Sequence, residues 1–287
     1  MWRTRLCQHI GQRRRHFSTI DANEVKKFSA KSAEWWDPDG EFGMLQLMNP
    51  ARVSYVRDQL VNETNIATAT SKPFKTLKML DIGCGGGLLS ESLTRLGGRV
   101  LGADASADNI KMAQIHKKQD PQLWRGPGQL EYKHTTAEDL LASKESFDVV
   151  LAMEIIEHVN NPLQFLQTCG ELVRPGGTLF LSTMSRTFVS YMLTVALAED
   201  MLRLVHQGTH DWTKYITSKE LISAIESMGQ DWSVQDVRGI FWDPVCRQWR
   251  VAQEKGLVGA GGLESLEVNY FLTARKNDTK KDDVDGI

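Results

Sequence analysis

Three ionisable side chains, Glu154, Glu157 and His158, follow directly on an apolar run from Phe147 to Met153. Spacings of three and four would bring them to one side of a helical turn. Two carboxylates and an imidazole so placed can hold a divalent cation, the oxygens favouring magnesium or manganese and the nitrogen admitting zinc. The imidazole could equally act as a general base, since its ordinary pKa near 6.5 lies close to neutrality. The residues alone do not choose between ligand and base. A second cluster, Gly83-Cys84-Gly85-Gly86-Gly87, follows a short apolar run, Leu77 to Ile82, that contains Asp81. Glycines gather where a strand turns sharply into a helix or where backbone must lie against a ligand. Another acid, Asp104, closes the next apolar run, Arg99 to Ala103. A dinucleotide fingerprint would read G-x-G-x-x-G/A, but the residue three after Gly85 is Leu88.

These residues need a scaffold, and the chain supplies one by alternation. Leu77 to Ile82, Arg99 to Ala103, Leu130 to His134, Phe147 to Met153 and Thr178 to Ser182 read as strands. Between them, Leu88 to Leu96 has helical spacing, Ser106 can cap a helix to about Gln119, and Pro162 to Val173 forms another. Trp124 to Gln129 reads as loop. Strands alternating with helices predict an α/β fold with a doubly wound, mostly parallel sheet and ligands at the strands' carboxyl ends. Upstream, Phe28 to Trp36 predicts a helix ended before Pro38, and Asn49-Pro50 opens a second from Ala51 to Val61. Downstream, Thr217 to Met228 reads as a helix, with last strands at Val234 to Phe241 and Val268 to Ala274.

The pattern D-x-G-C-G-G-G, with an acid at the end of the following strand, resembles the S-adenosylmethionine loop of class I methyltransferases. The resemblance implies a seven-stranded sheet with an antiparallel edge, N-terminal helices and a helical insertion after the fifth strand. It also implies glycine backbone, at Gly83 and Gly85, beside the methionine moiety, Asp81 near its charged end, and Asp104 accepting both ribose hydroxyls. A carboxylate suits a vicinal diol because it offers two acceptor oxygens. Further stretches narrow the likeness: Trp35-Trp36-Asp37 with Gly40-Glu41-Phe42, Asn49-Pro50-Ala51-Arg52, Met153 to Val159, and Gly208-Thr209-His210-Asp211. Together they resemble the ubiquinone-biosynthesis O-methyltransferases, which methylate ring hydroxyls of polyprenylated catechols and of demethylubiquinol. From about Ala30 to Arg275, this family implies cofactor contacts at Arg52, Gly83, Asp104 and Met153, and Mg2+ or another divalent cation at Glu154, Glu157 and His158. Rival readings are a class I methyltransferase for another small molecule, and an inactive methyltransferase-like assembly subunit.

The chain has 287 residues and a formal charge of −2, which gives no reason to expect bulk nucleic-acid binding. Four cysteines without C-x-x-C spacing suggest neither a disulfide framework nor a zinc site. Residues 1–17 carry five arginines among apolar residues and no acid. This predicts a mitochondrial transit peptide cut after Phe17. The expected layout is then an N-terminal helical cap at 18–76, a methyltransferase domain at 77–275 with an insertion at about 186–212, and a disordered tail at 276–287. The apolar stretch Phe188 to Val205 is interrupted by Glu199, Asp200 and Arg203, so a membrane span is not expected. It reads either as a core helix or as one lying on the matrix face of the inner membrane to admit a lipid substrate. The resemblance also implies membership of a ubiquinone-biosynthesis protein complex.

Overall fold

The computed structural model describes residues 18–64, 71–185, 214–252 and 269–278. The expected transit peptide, the Phe188 to Val205 stretch, Gly208 to Asp211 and most of the C-terminal tail lie outside them. Among the described residues eight strands form one sheet in the order β3-β2-β1-β4-β5-β8-β6-β7. The parallel part contains β1 (Lys78–Ile82), β2 (Arg99–Asp104), β3 (Gln129–His134), β4 (Phe147–Met153) and β5 (Val173–Met184). The antiparallel part contains β6 (Trp232–Asp243), β7 (Gln248–Val251) and β8 (Asn269–Lys276), with β8 lying between β5 and β6.

The central strands are apolar on both faces because both faces are covered. Successive side chains point oppositely: Met79 joins one core and Leu80 the other, and Val149 and Val150 divide the same way. One core packs beneath α6 (Ala137–Ala142), α7 (Pro162–Leu172) and α8 (Ser218–Glu226). The other packs beneath α2 (Gly43–Thr64), α3 (Leu88–Arg95) and α4 (Ala107–Gln119). As expected, the Ser106 hydroxyl caps α4, accepting from the Asn109 amide.

Four local expectations need correction. The sheet has eight strands where seven were expected, because Gln248–Val251 adds a hairpin partner to β6. Trp124 belongs to a one-turn helix, α5 (Gln122–Arg125), that sits beside β3 and α3. The first helix, α1, runs over Ala22–Ala30, started by Asp21 accepting from the Asn23 and Glu24 amides. It is followed by a separate 3₁₀ turn at Ser32–Glu34 that delivers Trp35 into a small core with Phe42 and Leu88. The second helix begins at Gly43 and runs through Pro50. A proline there forfeits one backbone hydrogen bond, but Met48, Tyr55, Val56 and Leu60 bury on the sheet from both sides of it and hold the helix continuous.

Candidate active site

At the carboxyl end of β1 the chain turns into α3 through three left-handed glycines, Gly83, Gly85 and Gly87. The amides of Gly83 and Cys84 both donate to the Ala103 carbonyl on β2, at 2.8 and 3.1 Å. Glycine is required at position 85 on two grounds. Its φ is +54°, and a Cβ would meet Cζ2 of Trp35 at 2.2 Å. The Trp35 indole stacks on Phe42 with centroids 3.8 Å apart and donates to Asn109 Oδ1 at 3.0 Å. Trp36 donates to the Gly86 carbonyl at 3.0 Å and stacks on His116. The N-terminal cap is therefore the roof of the glycine loop.

Asp81 is buried beneath this loop and accepts from Ser90 Oγ at 2.5 Å. Burial raises its pKa to about 6, against the opposing pull of that hydrogen bond and of the Arg52 charge. Arg52, only 5% exposed, comes from α2. Among the described residues its Nε and one terminal nitrogen have no hydrogen-bond partner, although the charges of Glu154, Asp81 and Glu157 act on it. Burial lowers its pKa and those acids oppose the shift. A buried guanidinium with spare donors is suited to a carboxylate ligand. At the end of β2, Asp104 accepts from the amides of Gly85 at 2.9 Å and Ser106 at 2.7 Å.

Glu154, Glu157 and His158 do not share one helical turn. Glu154 takes a left-handed φ of +55°, and only Ile156–His158 forms a 3₁₀ turn. The Glu154 amide donates to the Ser182 carbonyl at 3.0 Å and its hydroxyl at 3.1 Å. These bonds to β5 hold a conformation that costs a non-glycine residue about 1–3 kcal/mol. Among the described residues no three acid, histidine or cysteine side chains come together as a metal site. The donor chemistry nevertheless suits a cation, since Glu154 Oε1 and both Glu157 oxygens are buried without hydrogen-bond partners among the described residues. Burial also holds the Glu157 carboxyl well above the usual range.

His158 Nδ1 lies 3.1 Å from Glu24 Oε2 of α1, and Lys214 donates to Glu24 Oε1 at 2.9 Å. Burial would lower the His158 pKa, but the Glu24 hydrogen bond and the charges of Glu157, Glu24 and Glu154 together raise it. Glu24 itself is brought down to about 2, first by its bond to His158. Neither Glu24 nor Lys214 stood out in the sequence. Trp35 did, as part of a motif, but not as the roof of the loop.

All the expected residues, Arg52, Asp81, Gly83, Gly85, Asp104, Met153, Glu154, Glu157 and His158, line one cavity of about 1250 Å³. Single-ligand pockets typically span about 300–1,000 Å³, so this one has room for a cofactor and a second substrate. Trp242, Trp249 and Asn269, on the antiparallel edge, also face it.

A family model described as a methyltransferase domain matches residues 80–181. A ubiquinone biosynthesis O-methyltransferase of Ruegeria pomeroyi is 42% identical over 259 residues, covering 90% of this chain and 97% of the relative. One from Cereibacter sphaeroides is 45% identical over 257 residues, with the same coverage. The chain belongs to the ubiquinone biosynthesis O-methyltransferase family. The fold agrees with the class I methyltransferases. The plantazolicin methyltransferase BpumL, solved in complex with a monoazolic desmethylPZN analog and SAH, superposes with a TM-score of 0.56 at 16% identity, covering 89% of this chain and 98% of that one. The matched domain spans residues 80–181, so Glu24, Trp35 and Arg52 lie before it and Lys214 after it.

Proposed function

We propose that this chain transfers the methyl group of S-adenosylmethionine to ring hydroxyls of polyprenylated catechols and of demethylubiquinol in ubiquinone biosynthesis. The observation that carries this reading is the single cavity joining the glycine loop and Asp104 to Glu154, Glu157 and His158. Arg52 binds the carboxylate of the methionine moiety, Asp81 lies near its charged end, and Asp104 accepts from the ribose. Gly83, Gly85 and Met153 form the walls that position the sulfonium.

The sulfonium is already a strong electrophile, so the protein must ionise the phenol and align it with the methyl group. A phenol titrates near pH 10, as tyrosine does, and is mostly protonated at neutrality. His158 takes the hydroxyl proton on Nε2. The phenolate oxygen then attacks the methyl carbon and the carbon–sulfur bond breaks. Its electron pair stays on sulfur, leaving neutral S-adenosylhomocysteine and the methyl ether. The imidazolium returns its proton to solvent.

The alternative that the family resemblance implies is a divalent cation at Glu154, Glu157 and His158, in which His158 Nε2 would be a ligand and the cation would favour the phenolate in place of a base. The partnerless carboxylate oxygens support it, while His158 is turned towards Glu24. The arginine-rich start supports a mitochondrial location. No helix among the described residues is long and apolar enough to cross a membrane. Peripheral attachment to the inner membrane is supported by exposed Met44 and Leu47 on α2, of which Met44 also lines the cavity. Membership of a biosynthetic complex rests on the resemblance alone. The test is turnover of a short-tailed polyprenyl catechol by the protein starting at Ser18. Binding of S-adenosylhomocysteine without methylation of any such catechol would overturn the assignment and favour another substrate.

A further inference from the structure

The segment before the cap helices is built into the site from outside the matched domain. Thr19 is 1% exposed, and its amide and hydroxyl both donate to Glu138 Oε1, at 2.9 and 2.6 Å. Ile20 forms an isolated antiparallel bridge with Val159, the residue after His158. The Asn160 amide donates to the Thr19 carbonyl at 2.8 Å, and the Asn160 side chain to the Ile20 carbonyl at 2.7 Å. Residues 19–20 are thereby fastened to the same short stretch of chain that carries His158. Asp21 then starts α1, and its first turn presents Glu24 to the imidazole. Phe28, one turn further on, meets the His158 ring edge to face with centroids 5.0 Å apart.

We propose that Glu24 is the positioning residue of His158. Its carboxylate accepts a hydrogen bond from Nδ1–H, which fixes the ring's orientation and its tautomer and leaves Nε2 as a bare nitrogen towards the substrate. Three features of the site favour this role over an incidental surface ion pair. Glu24 is held from its far side by Lys214, so it cannot swing away from the ring without losing a second bond. Phe28 restrains the imidazole from one side. Among the described residues Nε2 makes no hydrogen bond, and His158 lines the cavity. A second ring partner of this kind sets which imidazole nitrogen is free, whether that nitrogen receives a proton or a metal. The role therefore does not depend on the cation discussed above.

The inference deepens the methyltransferase reading and rests on it for the word substrate, but its first test does not need turnover. Nitrogen-15 NMR of histidine-labelled protein, at a pH where His158 is neutral, reports which ring nitrogen is protonated. The wild type should show the Nδ1–H form and Glu24→Ala a shift towards Nε2–H. In steady-state assays Glu24→Ala should lower kcat by roughly 10- to 100-fold, as loss of such orienting partners does. KM for the catechol and the Kd of S-adenosylhomocysteine should stay within about threefold, an estimate that follows from a role confined to the imidazole. Glu24→Gln keeps the shape and an acceptor oxygen and should retain more of kcat than Glu24→Ala. It also carries the test if Glu24→Ala does not fold. An unchanged tautomer in both variants, or unchanged kcat in both, would overturn the proposal. A wild type inactive on every catechol would overturn the function and leave the NMR result to judge Glu24.

Discussion

Asp104 Oδ2 accepts the amide of Gly85 at 2.9 Å, so the acid at the end of β2 holds the glycine loop from the neighbouring strand. Its other oxygen accepts from Ser106 at 2.7 Å and from the Asn109 side chain at 3.3 Å. Both oxygens thus already carry a bond before any ribose arrives. Asp104→Ala should lose charge-assisted bonds worth about 1.5–3 kcal/mol, or roughly 10- to 150-fold in S-adenosylhomocysteine affinity by calorimetry. It should also lower the melting temperature of the ligand-free protein, because the loop amide is orphaned. A stability loss with no change in Kd would confine Asp104 to holding the loop.

Gly85→Ala sets a methyl against the Trp35 ring, with Cβ at 2.2 Å from Cζ2, on a backbone at φ +54°. The indole must move, which costs it the 3.0 Å bond to Asn109 and the stack on Phe42. We expect loss of cofactor binding and a destabilisation of about 1–3 kcal/mol, in the range of overpacking. Adding Trp35→Ala should relieve the clash and recover part of the stability, though not the strain at φ +54°. Additive losses in the double variant, measured by urea melts, would show that the two residues do not oppose one another.

Asp81 makes the ligand-free protein pH-sensitive. Its folded pKa of about 6 lies above the ordinary 3.8. The protonated form is therefore favoured by folding, and its stability contribution is complete below pH 3.8 and lost as pH rises through 6. The size is roughly 3 kcal/mol at 1.36 kcal/mol per pKa unit. A positively charged ligand reverses the preference. S-adenosylhomocysteine, through its ammonium, should bind roughly tenfold more tightly at pH 7.5 than at pH 5, and Asp81→Asn should flatten that profile. A wild-type Kd independent of pH over this range would remove Asp81 from the charged end of the cofactor.

If a divalent cation serves the reaction, EDTA should abolish turnover while leaving S-adenosylhomocysteine affinity unchanged, and magnesium or manganese should restore it. Glu157→Ala should then behave as the chelated enzyme does. Full activity in EDTA would leave His158 as an unaided base. His158→Ala would in that case cost roughly 10²- to 10⁴-fold in rate, recovering at high pH as the phenol ionises by itself.

β1, β2 and β4 were legible because each is a short apolar run closed by a turn, as both faces of the central sheet demand, and β3 by the alternation of buried Leu130 and Tyr132 with exposed residues. β7 was not, since Gln248–Val251 is half exposed and carries two polar residues in four. Glycine cluster, Asp81, Asp104 and the acid-rich end of β4 were all visible as chemistry. The relative placement of Glu154, Glu157 and His158 was misread because the left-handed turn at Glu154 falls on a non-glycine residue and is imposed from outside, by Ser182. Glu24 could not be read at all. Its partner stands 134 positions away, and no local period records such a contact.

The fastening of the N-terminal segment has a consequence for the order in which the molecule is made. Thr19 and Glu138 are 119 positions apart, Glu24 and His158 134, and Glu24 and Lys214 190. Closing such loops is slow and gains little until the receiving surface exists. Residues 19–24 must therefore wait for α6, the turn at Ile156–His158 and the chain beyond β5 before they can dock. Acquisition of the imidazole's partner is then a late event in folding, and recovery of methyl transfer during refolding should trail the recovery of helix and sheet.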